Sequence, residues 1–294
     1  MGNSRSKFSK WRLGALAAVA AGVLASQPAF AGIAETKHNL GSGGLGVNKF
    51  DGTAELCVFC HTPHGSDATA SVPLWNRTMA APSTYTTYNS LGTSSLDGKT
   101  APVGSVSLAC LSCHDGVQAM NSMINQPGSG GYNVGGAELA GNWTGANQSA
   151  GKLVAGAITN IGQNLADDHP IGIQYAGGPK SGTVPAAGNA YNATMFRKSD
   201  FAATASTALN GQPVWWVDSA GGTAGTKEKG DLQLYTRTDA NSISSAGAVT
   251  SGGIAGTQPF VECASCHDPH TSENAAFLRI SNAGSSLCLT CHVK

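Results

Sequence analysis

Charge is scarce in this chain: Asp, Glu, Lys and Arg together make up 12% of its 294 residues. Basic and acidic side chains balance at 17 each, and four of the basic ones, Arg5, Lys7, Lys10 and Arg12, crowd into the first dozen positions. Without that segment the chain carries 13 basic against 17 acidic groups, a net charge of −4. Such a surface offers nucleic acid nothing to hold. Charge this sparse also argues against a solvated, disordered coil, despite 39 glycines. Long apolar runs are missing as well. Residues 13–25 form an apolar stretch of 13, short of the ~20 a membrane-spanning helix needs, and no other segment could span a bilayer. Cysteine is absent outside a single type of motif.

The basic start, the short apolar run and Ala29-Phe30-Ala31 together predict a secretory leader over residues 1–31, cleaved after Ala31. No twin-arginine pair and no cysteine lies near the cut, so neither that export route nor a lipid anchor is indicated. The mature chain is expected to be exported, with no membrane span once the leader is removed.

All eight cysteines fall into four Cys-x-x-Cys-His motifs: Cys57–Cys60–His61, Cys110–Cys113–His114, Cys263–Cys266–His267 and Cys288–Cys291–His292. This is the attachment signature of c-type haem. Two thiols add across the two haem vinyl groups, and the adjacent imidazole reaches the iron from one side of the ring. One helical turn projects all three side chains towards neighbouring positions. A disulfide framework or thiol-zinc sites would leave the four adjacent histidines without a role.

Four further histidines exist: His38, His64, His169 and His270. They match the number of distal ligands that four six-coordinate irons require, so the expected cofactors are four covalently bound haem c groups with bis-histidine iron. Met79, Met120, Met123 and Met195 are the competing distal ligands, and methionine would raise the reduction potential.

The motifs come in two pairs. Each pair opens with a longer version, Cys57-Val-Phe-Cys-His-Thr-Pro-His64 and Cys263-Ala-Ser-Cys-His-Asp-Pro-His270, as an internal duplication of a two-haem unit would produce. We therefore expect an N-terminal two-haem unit over 32–125 and a C-terminal one over 256–294. Between them, 126–255 form a haem-free segment rich in Gly, Ser and Thr that supplies a distal histidine. Within it, residues 171–175, 214–217 and 232–238 read as short strands. With 41% hydrophobic residues, part of them in the leader, a conventional core would be poor, whereas porphyrins supply large apolar faces. The expected fold is a multihaem cytochrome c: mostly irregular coil, short helices at the haem motifs, a few β-hairpins, and haems as the core. The haem-free protein is expected to be largely unfolded.

His64 and His270 each lie three residues beyond a motif histidine and are expected to reach a neighbouring haem, because a distal ligand must approach from the opposite face. Pro63 and Pro269 block a continuing helix and direct the exit. His169 follows Asp167 and Asp168, either of which can accept its ring N–H and orient it. His38, seven residues past the cut, either anchors the N-terminus or reaches into another molecule.

With these residues in hand, the chain resembles the doubled-CxxCH multihaem cytochromes of metal-reducing bacteria. In particular it is similar to the tetrahaem outer-surface cytochromes that polymerise into extracellular filaments, the cytochrome nanowires. The resemblance is carried by Lys37-His-Asn-Leu40, Cys57 to Gly65, Pro73-Leu-Trp-Asn-Arg77, Cys110-Leu-Ser-Cys-His-Asp-Gly116, Asp168-His-Pro-Ile171, Val261 to His270 and Leu287-Cys-Leu-Thr-Cys-His292. It implies a homopolymer threaded by a continuous haem chain, in which one haem is completed by a histidine of the adjacent subunit; His38 would suit that role. It further implies an extracellular or outer-surface location, redox partner proteins, and electron delivery to extracellular acceptors without enzymatic turnover. A monomeric periplasmic shuttle and a multihaem reductase are the alternatives, the reductase requiring an iron with an open sixth position.

Overall fold

The computed structural model describes residues 32–92, 100–128, 130–168, 170–178, 198–237, 241–243, 249–251 and 258–293. The predicted leader, His169, Met195 and Thr238 lie outside the described residues.

Three short helices carry three of the four motifs: α1 (Ser105–His114), α2 (Cys263–Cys266) and α3 (Ser286–Cys291). Two of the three are barely more than a turn, because the motif itself is the helix. The first motif closes a single helical turn, in which the His61 N–H donates to the Cys57 carbonyl at 2.7 Å. Glu262 begins α2 with a capping box: its side chain takes the Ser265 N–H, while the Ser265 hydroxyl takes the Glu262 N–H. α1 is longer because Leu108 and Leu111, three apart on one face, bury against Tyr85, Val103, Leu165 and Ile171.

Strands are short and antiparallel throughout. In the first half, β1 (Lys49–Phe50), β2 (Ser122–Asn125) and β3 (Tyr132–Glu138) are followed by β4 (Trp143–Thr144), β5 (Gln148–Ser149) and β6 (Lys152–Leu153). They form three two-stranded pairs, β1–β4, β2–β3 and β5–β6.

The second half holds β7 (Ile173–Gln174), β8 (Ala205–Leu209), β9 (Gln212–Val217) and β10 (Leu232–Arg237). The hairpin of β11 (Asn241–Ile243) and β12 (Val249–Ser251) leads to β13 (Gln258–Val261). Five of these build one sheet in the order β7-β13-β10-β9-β8.

That sheet corrects the expectation of irregular structure with isolated hairpins. The strands read at 214–217 and 232–238 exist, but they are the centre of a sheet that also recruits β8 and β13. Strand β8 joins the sheet through the turn before β9. Asn210 (φ 50°) and Gly211 (φ 74°) both adopt left-handed backbone, the two-residue turn that joins tightly twisted strands. In β9, Trp215, Trp216 and Val217 are all buried, as befits a central strand covered on both faces.

Side-chain cores are small and separate. One packs Tyr175, Trp215, Val217, Leu232 and Leu234, with Cys291 at its margin. The α1 cluster is bordered by Cys263. A third packs Phe50, Val58, Phe59 and Met123, bordered by Cys60. These three clusters each meet a motif cysteine, while a fourth, Ala101 with Phe260, meets none. Among the described residues no helix is long and apolar enough to cross a membrane.

Candidate metal centres

A motif histidine that ligates iron would present one ring nitrogen to the metal while the other is held. His61 Nδ1 donates to the Pro73 carbonyl at 2.8 Å, His114 Nδ1 to Thr159 at 2.7 Å and His267 Nδ1 to Ala276 at 2.7 Å. A carbonyl only accepts, so the proton sits on Nδ1 and the Nε2 lone pair is free for a metal. His292 is placed differently: its ring packs 4.4 Å from that of Phe201, and the two residues pair as a backbone bridge.

The first and third motifs are held by the same clamp. Thr62 N–H donates to Leu74 O and Asn76 N–H to Cys60 O, just as Asp268 N–H donates to Phe277 O and Arg279 N–H to Cys266 O. In each case the clamping segment also carries the carbonyl that holds the motif histidine, beside a left-handed non-glycine residue, Leu74 (φ 57°) or Phe277 (φ 60°). Such backbone is costly for an L-residue and persists where surrounding contacts enforce it. The duplication read from the two longer motifs thus extends to a return segment whose sequence shows no likeness between the copies.

Two of the spare histidines meet motif histidines. The rings of His61 and His270 lie 6.3 Å apart with planes at 19°, and those of His38 and His114 lie 6.1 Å apart at 90°. Two metal–imidazole bonds of about 2.0 Å, with each ring centre roughly 1.1 Å beyond its nitrogen, set trans imidazole centroids about 6.2 Å apart. Both centroid separations match that spacing. His270 Nδ1 bonds Asp268 Oδ1 at 3.0 Å, which orients the ring as a carboxylate orients a ligating imidazole. His38 Nδ1 faces the Pro269 carbonyl at 3.4 Å, and its ring stacks on Phe277 at 4.4 Å. Its surface is partly accessible, yet the protein around it lowers its pKa to about 4, chiefly by burial and then through His114. A neutral imidazole is the form that binds metal.

His38 was expected either to anchor the N-terminus or to reach into another molecule. The structure sets it against His114 of its own chain. His64 is exposed, its carbonyl held by Thr62 and Asn125, while its ring makes no hydrogen bond, ion pair or ring contact among the described residues. His169 lies outside the described residues, as does Met195. Met120 and Met123 are buried and Met79 packs at the margin of the α1 cluster.

The thiols are free of disulfides. Burial pushes Cys60 and Cys291 up to about 12. Cys110 is raised first by donating to Cys263 and then by burial. This contact joins the second motif to the third, while Cys60 lies within electrostatic reach of Cys113, and Cys266 of Cys288. Each motif thus neighbours the next in sequence order. Among the described residues no group of three or more His, Cys, Asp or Glu is placed to hold a metal ion by itself. The thiol-zinc arrangement weighed above needs four protein ligands, whereas the histidines here meet in twos.

The doubled CXXCH motif family matches residues 258–294, the third and fourth motifs. No curated protein matches the chain. The family match indicates covalently bound haem c and supports a multihaem c-type cytochrome.

Proposed function

Proceeding from a multihaem c-type cytochrome, we propose that the chain binds four haem c groups, one per motif, and conducts electrons along them without acting as an enzyme. The carrying observation is the pair of histidine couples at 6.1 and 6.3 Å, His38 with His114 and His61 with His270. Bound haem supplies a reversible ferric–ferrous couple. The protein's part is to saturate the iron on both faces, so that no substrate binds and no ligand rearranges on reduction. The Nδ1 bonds to Pro73, Thr159 and Ala276 fix three of the imidazoles in place, and the neighbouring thiols of successive motifs bring the attachment edges close together.

This assignment leaves the irons at His267 and His292 for His64 and His169. Among the described residues the exposed ring of His64 has no hydrogen-bond, ion-pair or ring partner, and His292 faces Phe201 and no histidine. The reading follows that His64 completes the His292 site of a second copy, head to tail. Such a heterologous contact, where its rotation does not close, builds an open filament, with His64 as the bridging ligand. The setting is extracellular, with a redox protein as donor and an external acceptor at the end of the chain.

Mass spectrometry and absorption spectroscopy of the mature protein test the centres, with four haems and wholly low-spin iron expected. Electron microscopy tests the assembly. Filaments that disappear in His64→Ala but persist in His38→Ala support it; discrete particles at every concentration would leave a soluble shuttle, and high-spin iron in the parent would point to a reductase.

A further inference from the structure

Arg77 has no part in attachment or ligation, yet it is wholly enclosed, with 0% of its surface exposed. Its guanidinium donates to Ser112 Oγ and O, Gln118 Oε1, and the carbonyls of Ala119, Met120 and Ser122, at 2.8–3.0 Å. Every acceptor is neutral, and among the described residues no carboxylate lies within ion-pair distance. The hydrogen bonds are complete while no carboxylate forms an ion pair with the charge; the buried Asp115, in the same stretch of chain, instead accepts from Tyr85. A buried cation in that state is costly, and neutral donors could have tied the same carbonyls together.

Its position gives the charge an object. Asn76 bonds the Cys60 carbonyl, and Arg77, the next residue, bonds Ser112 inside the second motif. The guanidinium therefore sits where the first motif's turn meets α1. The junction of the second and third motifs is built differently. Glu262 is buried there and bonds Ser107 of α1 at 2.5 Å, while Arg237 pairs with it at 2.7 Å, so the junction is neutral overall. Arg279, beside the third motif, is only half-buried and faces Asp268, so solvent and a carboxylate screen it.

We infer that Arg77 is a redox-tuning residue, whose unpaired charge raises the reduction potentials of the haems at the first two motifs above that of the haem at the third. The inference rests on the four-haem reading. Its basis is Coulombic: a nearby cation disfavours the extra positive charge of ferric iron, and the effect is large and little screened in a dry interior. Electrons then settle at the N-terminal end of the chain, which gives the row of haems a direction.

The test is a haem-resolved redox titration, by NMR and spectroelectrochemistry, of the fully loaded parent protein and of Arg77→Met and Arg77→Lys. In the parent, the haems at His61 and His114 should titrate above the haem at His267. Arg77→Met should shift those two downward and leave the others in place, and Arg77→Lys should keep them near the parent values. Equal shifts in both variants would assign Arg77 a purely structural role and overturn the inference. If Arg77→Met fails to retain its haems, the order in the parent decides, and a higher potential at His267 overturns it. A parent haem content below four sinks the underlying reading separately, because that count is independent of any potential.

Discussion

At the scale of the residue, function is divided between the two nitrogens of each imidazole. The Nδ1 bonds to Pro73, Thr159 and Ala276 commit one face of the ring to the protein, so the other is presented rather than left to find its metal. Replacing His270 by Ala should convert one haem from six- to five-coordinate, seen as a high-spin absorption component equal to one haem of the set. His270→Met should restore low-spin iron with a higher potential at that haem alone. Spacing marks the four motifs in the sequence, and number alone marks the four spare histidines as candidates. Their pairing is not legible there, because His61 and His270, or His38 and His114, are joined only by the folded backbone. Arg77 was visible only as part of Pro73-Leu-Trp-Asn-Arg77; what marks it out, burial without an ion pair, is not a property of sequence.

At the scale of the element, the haem turns follow from local rules and the sheet does not. Alternation at β10 is plain: Leu232 and Leu234 point inward and their neighbours are half-buried. Strand β8, Ala205-Ser-Thr-Ala-Leu209, has a weak pattern, and its one strong signal is Asn210-Gly211 at the turn. β13 is only four residues long and contains Pro259, so only its tertiary pairing to β10 and β7 identifies it as a strand. Trp215 anchors this sheet at 0% exposure. Its replacement by Ala should cost about 3–5 kcal/mol in thermal or denaturant unfolding.

Between β1 and β4, backbone and side-chain N–H groups of Asn142 hold the Asp51 carboxyl below its usual value. A lowered carboxylate pKa stabilises the fold above the unfolded value of 3.8 and ceases to do so as pH falls through the folded one. The melting temperature of Asp51→Ala should therefore lie below the parent's at neutral pH, and the gap should close below about pH 4.

At the scale of the whole molecule, the three larger side-chain clusters among the described residues each end at a motif cysteine. No single core unites them, so the apolar surface between them is what porphyrins would cover. Expression without haem attachment should give a chain that lacks a cooperative thermal transition by circular dichroism, whereas the loaded protein should melt sharply. A cooperative transition in the haem-free chain would show that the sheet and clusters suffice. The two histidine couples differ in one respect that reaches beyond packing: one has ring planes at 19° and the other at 90°. Parallel imidazoles act on the same iron d orbital and split it from its partner, while crossed imidazoles act on both and leave them nearly equal in energy. The oxidised protein should accordingly show two kinds of electron paramagnetic signal, a rhombic one with three resolved g values from the iron at His61 and a strongly anisotropic one with a single large g feature from the iron at His114. The two sites would then be told apart by the spin of their own iron.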